Sequence, residues 1–408
     1  MMQKNSFEET FLVKTSSRQK TWIAPRLKMI LLVPFFILAI YGAKAQTDVS
    51  AFLNLTKDGI KDIETLTEAY LTPMGKGFAT SLSGGWFNTA KTHHPLGFDF
   101  TLGFTLVTFP DEDKRFKLNN YNWNVLTWDR NQYTNPVSPT IAGKQSVLLP
   151  VGIETNINNQ QVEINNLFTM PQGVNLPAVG LPLVQLGLGI GFGTDIQARL
   201  LPPLTISDYG SIDIWGIGIK HDFKRWIPVV NKLPFDASIA VNYSSVNSVF
   251  EKMKYFPTDF LSVNTQYVDP QLMRYMSTTP SYEQNIEADF YSKQNLKFHM
   301  NSFAANLIVS SKLLFLTLYG SVGYSASNFG ILFEGPYLLP TIELDGTNVV
   351  YALRESGKIN NPIDIKIKHN SIRTGLGARI NMAFITLHGD VTYQDYMMYN
   401  FGLGISIR

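Results

Sequence analysis

Apolar and polar residues alternate with period two over much of the chain. The clearest run is Val184 to Leu200. Val184, Leu186, Leu188, Ile190, Phe192, Ile196, Ala198 and Leu200 fall on one face, with Gln185, Gly187, Gly189, Gly191, Gly193, Asp195, Gln197 and Arg199 on the other. A second run sets Leu96, Phe98, Phe100, Leu102, Phe104 and Leu106 against Gly97, Asp99, Thr101, Gly103 and Thr105. Side chains of a strand point alternately to its two faces, so each run predicts a strand with one apolar side. Soluble strands average about 5–6 residues, whereas a tilted membrane strand needs about 9–11. The length of these runs therefore favours a membrane barrel.

Further strands are predicted in the second half of the chain. Trp215, Ile217 and Ile219 oppose Gly216, Gly218 and Lys220, and Phe235, Ala237, Ile239, Val241 and Tyr243 form another apolar face. Phe303–Val309 and Leu314–Tyr324 read as a hairpin turning at Ser310-Ser311-Lys312. Ile372–Ile380 alternates with Arg373, Gly375, Gly377 and Arg379; Ile385–Tyr393 alternates with Thr386, His388, Asp390 and Thr392. The chain ends on a strand, with Tyr399, Phe401, Leu403, Ile405 and Ile407 on one face. Residues 110–180, 251–300 and 336–362 do not alternate and are rich in Asn, Gln, Thr, Tyr and Pro. Membrane barrels have short inner turns and long outer loops, so these segments are expected to be outer loops or inward-folded constrictions. Aromatics at strand ends (Trp86, Phe87, Phe109, Trp226, Tyr393, Tyr396 and Tyr399) fit interfacial girdles.

Two N-terminal segments depart from this pattern. Asp58–Tyr70 carries Ile60, Ile63, Leu66 and Tyr70 at helical spacing, and Pro73 and Gly75 are expected to end the helix. This element is a plug inside the barrel or a periplasmic cap. Before it, Arg26 and Lys28 precede the apolar run Met29–Tyr41 and the small-residue motif Ala43-Lys44-Ala45. That order is a Sec-type signal peptide, cleaved after Ala45 and too short for a membrane-spanning helix.

Composition narrows the classes. Charged residues are 16% of the chain, against about 25% in soluble domains, and the mean hydropathy of -0.01 is what cancelling faces give. The formal net charge of +2 gives no reason to expect nucleic acid as a partner, and the absence of cysteine excludes disulfides, thiolate metal sites and a lipid-anchored cysteine. His93-His94 reads as a solvated turn, His221-Asp222 as a structural corner beside Trp226, and His388 with Asp390 as lumenal bracing. No nucleophile elbow, P-loop, dinucleotide fingerprint, zinc-protease motif or EF-hand loop is present. No enzyme activity, cofactor or metal is expected.

The stretch GIGIKHDFKRWIP from Gly216 to Pro228, followed by Leu233-Pro234-Phe235, resembles a family of Bacteroidota outer-membrane proteins of unknown function. Gly85–Ala90, Pro139–Gly143 and the tail ending in Arg408 carry the same resemblance. It implies an outer-membrane barrel and brings no activity or functional residues. A more distant likeness, of architecture alone, is to the 14-strand, plugged barrels of long-chain fatty-acid transporters.

These readings converge on an all-β fold: an antiparallel transmembrane barrel of about 14 strands, within 12–16, at about ten residues per strand. Residues 1–45 are assigned to the signal peptide, 46–76 to the helical plug or cap, and 77–408 to the barrel. The expected function is a gated or narrow, porin-like channel for small, apolar molecules. The alternative is a structural or assembly barrel without transport. Expected partners are outer-membrane lipid, the barrel assembly machinery and a small apolar ligand. The candidate lumen-lining residues are Gly187, Gly189, Gly191, Gly193, Asp195, Arg199, Arg373, Arg379, His388 and Asp390. Ile60, Ile63 and Leu66 are the candidate plug residues, expected to fill the groove of the four glycines.

Overall fold

The computed structural model describes residues 59–144, 149–157, 159–206, 210–251, 267–272 and 292–407. The signal peptide and its cleavage after Ala45 lie outside the described residues. The described chain holds one α-helix, α1 (Ile60–Ser83), and a closed antiparallel barrel of ten strands, with nine shorter strands paired in small sheets within the connections. The first five barrel strands are β1 (Phe98–Thr108), β2 (Ala178–Gly191), β3 (Thr194–Ile206), β4 (Gly210–His221) and β5 (Asp236–Glu251). The rest are β6 (Asn295–Leu313), β7 (Leu316–Glu334), β8 (Ile363–Met382), β9 (Ile385–Gln394) and β10 (Tyr396–Ile407). Each strand pairs with its neighbours in sequence, and β1 closes on β10 from Phe98↔Ile407 to Thr108↔Met397.

The count is ten rather than about fourteen, and the reason is strand length. Strands β6, β7 and β8 are 19, 19 and 20 residues long, about twice the membrane minimum. The Val184–Leu200 run is also two strands joined at Phe192-Gly193, not one. The β6–β7 hairpin turns at Leu314-Phe315, a few residues beyond the expected Ser310-Ser311-Lys312.

Both chain ends of the barrel, Phe98 and Ile407, lie at one end with the turns at 192–193, 314–315 and 383–384. The strand ends from which the long connections leave, Thr108, Glu251 and Glu334, lie at the other end. By the usual asymmetry of membrane barrels the first is the inner, periplasmic end and the second the outer end. Leu188, Ile217, Leu307, Val322, Leu376 and Leu403 belong to a belt of outward, exposed apolar side chains that encircles the inner half. Such a belt is stable only against lipid.

Along β8 the sense of the alternation reverses. In the inner half Ile372 and Leu376 point out, and Ser371, Arg373 and Arg379 point in. In the outer half Asp364, Lys366 and Lys368 are exposed, and Ile363, Ile365 and Ile367 are buried inside. The same change occurs on β7, where Ser325 and Ser327 give way inwardly to Phe329, Ile331 and Phe333. The barrel is therefore a membrane barrel below and a water-facing barrel with an apolar core above.

Helix α1 fills that upper core. Ile63, Leu66, Tyr70 and Leu82 are buried against Phe329, Ile331, Ile365 and residues of the 109–177 connection. The helix runs past Pro73 and Gly75, where it was expected to stop. Packing on all sides outweighs the hydrogen bond that Pro73 cannot make. At 24 residues α1 is roughly 36 Å long. It begins among the outer loops and ends inside the barrel. Residues 84–97 then run to the inner end, where β1 starts.

Candidate functional site

The lumen is occupied from end to end. At its centre Trp86 is fully buried, and Gly216 and Gly218 of β4 make room for it. A Cβ on either glycine would stand 3.0 Å from the indole ring. The Arg199 guanidinium stacks over the ring, 3.9 Å from its centroid. Gln185 and Gln197 both donate to the Trp86 carbonyl, at 3.2 and 3.0 Å, and Arg199 Nε donates to Gln185 Oε1 at 2.8 Å.

The same wall caps the end of α1. A helix leaves its last carbonyls unpaired and carries partial negative charge there. Arg199 Nη1 donates to the Leu82 carbonyl at 3.4 Å, and Arg373 Nη1 donates to the Ser83 carbonyl at 2.5 Å. Ser83 Oγ donates to Gln394 Oε1 at 2.8 Å. Two buried lumenal arginines thus hold the helix end. The void beside Gly85, lined by Thr105, Gln185, Arg199, His388 and Asn400, holds about 10 Å³, room for one water.

The inner end is closed by His93. Its Nδ1 lies 3.0 Å from Asp195 Oδ2, and its backbone N–H donates to Asp195 Oδ1 at 2.9 Å. Lys220 Nζ stands 3.1 Å from Asp195 and donates to the Lys91 carbonyl at 3.1 Å. Ser406 Oγ is 3.4 Å from His93 Nε2, which gives the connectivity of a Ser-His-Asp triad. Asp99 Oδ2 stands nearer that nitrogen, at 3.3 Å, and all four side chains are buried. The cluster therefore braces strands β1, β3, β4 and β10 against the incoming segment. His93 is buried and hydrogen-bonded to Asp195, not the residue of a solvated turn, whereas His94 is exposed.

The ten candidate lumen residues all face inward, but they do not line a passage. Gly187 makes room for the Asp99 carboxylate, and Gly189 for the His93-His94 backbone. Gly191 and Gly193 sit at the hairpin with positive φ, near Pro95 and Arg225. Arg379 donates to Asn88 Oδ1 at 2.6 Å, and His388 Nδ1 is 3.4 Å from Asn88 Nδ2. Asp390 accepts from Tyr319, Asn400 and Thr392 at 3.0, 2.6 and 3.1 Å. The glycine groove is filled by residues 93–99, not by Ile60, Ile63 and Leu66. Ile63 and Leu66 are buried in the outer core, with Ile60 packed at its edge. The aromatic girdle also needs correction. Trp226 and Tyr393 are exposed, but Trp86 and Phe87 are lumenal, and Phe109 packs edge-on to buried Tyr396 at 5.8 Å. The His221 corner is as expected: Trp226 Nε1 donates to His221 Nε2 at 2.8 Å. Among the described residues no cluster of His, Cys, Asp and Glu could hold a metal.

The packing at Gly189 makes a direct prediction. A Cβ there would lie 2.2 Å from the His94 carbonyl oxygen, which belongs to backbone and cannot swing aside. Gly189→Ala, and more severely Gly189→Trp, should prevent barrel closure. The loss would read as disappearance of the heat-modifiable gel band. A variant that assembles normally would show that residues 93–97 do not occupy the groove.

Above the membrane, the 109–177 connection folds over the start of α1. The Asp62 carboxylate accepts from the backbone N–H groups of Asn124, Val125 and Leu126 and from Asn124 Nδ2, all within 3.1 Å. Tyr70 OH donates to the Gln172 carbonyl at 2.9 Å, and Ile141 N–H donates to the Tyr70 carbonyl at 3.1 Å. In this cap a cleft of about 750 Å³ opens beside Tyr121, Trp123, Asn156 and Arg130. Burial pushes the Tyr121 hydroxyl pKa up, with the nearby Glu68 charge adding to it. On the 335–362 loop, Arg354 bonds Glu343 at 2.5 Å and Asp269 at 3.1 Å, and the first of these bonds holds the Glu343 carboxyl below its usual range.

Fold and site together define a class: a ten-strand barrel with a lipid-facing belt, plugged by its own N-terminal segment and capped by its outer loops. The chain belongs to a family of unknown function, DUF6588, whose model matches residues 25–407. That agrees with the resemblance seen in the sequence. The distant likeness to fatty-acid transporters rested on an architecture of fourteen strands with an N-terminal plug; this barrel has an N-terminal helix but ten strands. No match was found among curated proteins. Among solved structures, the chain is similar to the translocator domain of the autotransporter NalP from Neisseria meningitidis, at 10% identity and TM-score 0.26, covering 84% of this chain and 97% of that one. It is similar to the outer membrane protease OmpT from Escherichia coli at 10% identity and TM-score 0.28, covering 78% of this chain and 100% of that one. The attachment invasion locus protein Ail of Yersinia pestis is matched at 7% identity and TM-score 0.22, covering 76% of this chain and 97% of that one. Scores this low carry no argument about function.

Proposed function

We propose that this protein is a closed outer-membrane barrel that serves as a platform, holding a folded cap of loops and helix at the cell surface, rather than an open channel. The observation that carries this reading is the threading of the lumen: α1 above, Trp86 at the centre and the His93–Asp195–Lys220 cluster below. A channel for small apolar molecules would need residues 84–97 to leave the lumen. That would strip Arg373 from the helix end and leave Asp195 and Lys220 without the His93 and Lys91 groups that satisfy them, which is costly inside a barrel. The lipid belt accounts for the membrane partner, and no chemistry is assigned to the lumen.

The direction of α1 adds a topological consequence. Its first residues lie among the outer loops, which puts Gly59, the first described residue, at the outer face.

Two measurements test the platform. In planar bilayers the purified protein should give no steady single-channel current. An epitope placed just before Gly59 should be labelled by antibody on intact cells. A steady, porin-sized conductance from the unmodified protein would overturn the reading. Labelling only after the outer membrane is broken would reverse the assigned orientation.

A further inference from the structure

We propose that the outer-cap cleft beside Tyr121 and Trp123 is a binding site for a neutral oligosaccharide. Its outward placement rests on the platform reading; its capacity to bind does not.

The walls carry the argument. Tyr121 and Trp123 are half-buried, their ring centroids 5.6 Å apart and their planes tilted by 44°. Both line the cleft, as a bent pair of apolar plates of a size to meet the C–H faces of sugar rings. Between and opposite them stand amides and a hydroxyl: Asn122, Asn156 and Thr155. Among the described residues, the Asn122 and Asn156 amides are committed to no other side chain or carbonyl, and both residues are exposed. An amide offers both donors and an acceptor, as the hydroxyls of a sugar do. Among the described lining residues the charged ones are one cation, Arg130, and one carboxylate, Glu154, so no net charge selects an ionic ligand. Val125, Leu126 and Trp128 add apolar surface, but most of the lining is polar, which suits a sugar better than a lipid.

The site is also rigid. Trp123 Nε1 donates to the Leu118 carbonyl at 3.0 Å, and Trp128 Nε1 to the Tyr133 carbonyl at 3.1 Å. The Asp62 carboxylate clamps residues 124–126 from below. A ligand would meet walls already ordered, which lowers the cost of binding. The volume, about 750 Å³, falls within the range of small-ligand pockets and can hold several sugar rings.

The test uses the whole protein in an oxyethylene detergent, because sugar-headed detergents would compete. Maltoheptaose, cellohexaose, xylohexaose and laminarihexaose are titrated separately, with calorimetry and tryptophan fluorescence as readouts. At least one should bind with Kd below about 1 mM, and Trp123→Ala should weaken it at least about tenfold. Asn156→Ala, at an exposed position whose side chain bonds no other described residue, should weaken it several-fold while leaving heat-modifiable migration unchanged, so the test survives if the tryptophan variant misfolds. Failure of all four sugars to bind overturns the proposal, as does binding that both variants leave intact. A conducting barrel would overturn the platform without touching this titration.

Discussion

Trp86→Ala should make the barrel less stable and let it pass ions in brief bursts, where the unmodified protein is expected to be silent. The indole is fully buried, and its neighbours cannot close over the space it leaves. On one side are Gly216 and Gly218, which have no side chains to move inward; on another are Phe87, Ala240, Ile308 and Tyr319, buried in one cluster with Trp86 itself. Removing a large aromatic from such a place costs about 3–5 kcal/mol. Two further losses add to it. The indole N–H no longer donates to the Leu82 carbonyl, and Arg199 loses the ring on which it stacks. Unlike a cavity in an oily core, this one is walled by Gln185, Gln197 and Arg199, so water will enter it. The temperature at which the folded gel band disappears should fall, and short current events should appear in bilayers where the unmodified protein is expected to give none. If the variant melts like the parent and stays silent, Trp86 is not the seal.

Asp62→Ala should release the outer cap while leaving the membrane barrel intact. One buried carboxylate satisfies three consecutive backbone N–H groups and the Asn124 amide. Val125 and Leu126 are buried, so their N–H groups cannot turn to bulk water without the loop opening. An unsatisfied buried donor costs about 1–3 kcal/mol, and at least two would be created at once. The energetically easier outcome is local unfolding of residues 118–135, which also dismantles the Trp123 wall of the cleft. Limited proteolysis should cut this segment much faster in the variant, with heat-modifiable migration preserved. Asp62→Asn, with one acceptor oxygen left, should fall between. Equal cutting of parent and Ala variant would show that the cap is held by other contacts.

The sequence by itself determined which way side chains point. Period two is a local property of the strand, so the inward placement of Asp195, Arg199, Arg373 and His388 followed from the alternation alone. The barrel class followed too, since apolar faces this long can be buried only in lipid.

Where a strand ends was harder to read, and parity explains why. At the β2–β3 hairpin, Gly189 pairs with Asp195 and Gly191 with Thr194, with a bulge between them. An odd number of residues therefore separates the inward pair Gly189 and Asp195, the alternation continues unbroken, and the turn is invisible. At the β6–β7 hairpin Leu313 pairs with Leu316 across two residues, so the phase flips. That turn was detectable, and only its position was missed, because Leu314 and Phe315 are apolar. The reversal along β8 worked in the opposite direction. One 20-residue strand has its apolar residues inward above and outward below, and it looks like a loop followed by a short strand. A count based on minimal membrane strands therefore came out too high.

What only the tertiary structure decided is what fills the barrel. The pairing of Trp86 with Gly216 and Gly218, of His93 with Asp195, and of Asp62 with Asn124–Leu126 joins residues tens to more than a hundred positions apart. No local period records such contacts. The run of α1 past Pro73 belongs with them, because the walls that hold the helix there are strands which come later in the chain.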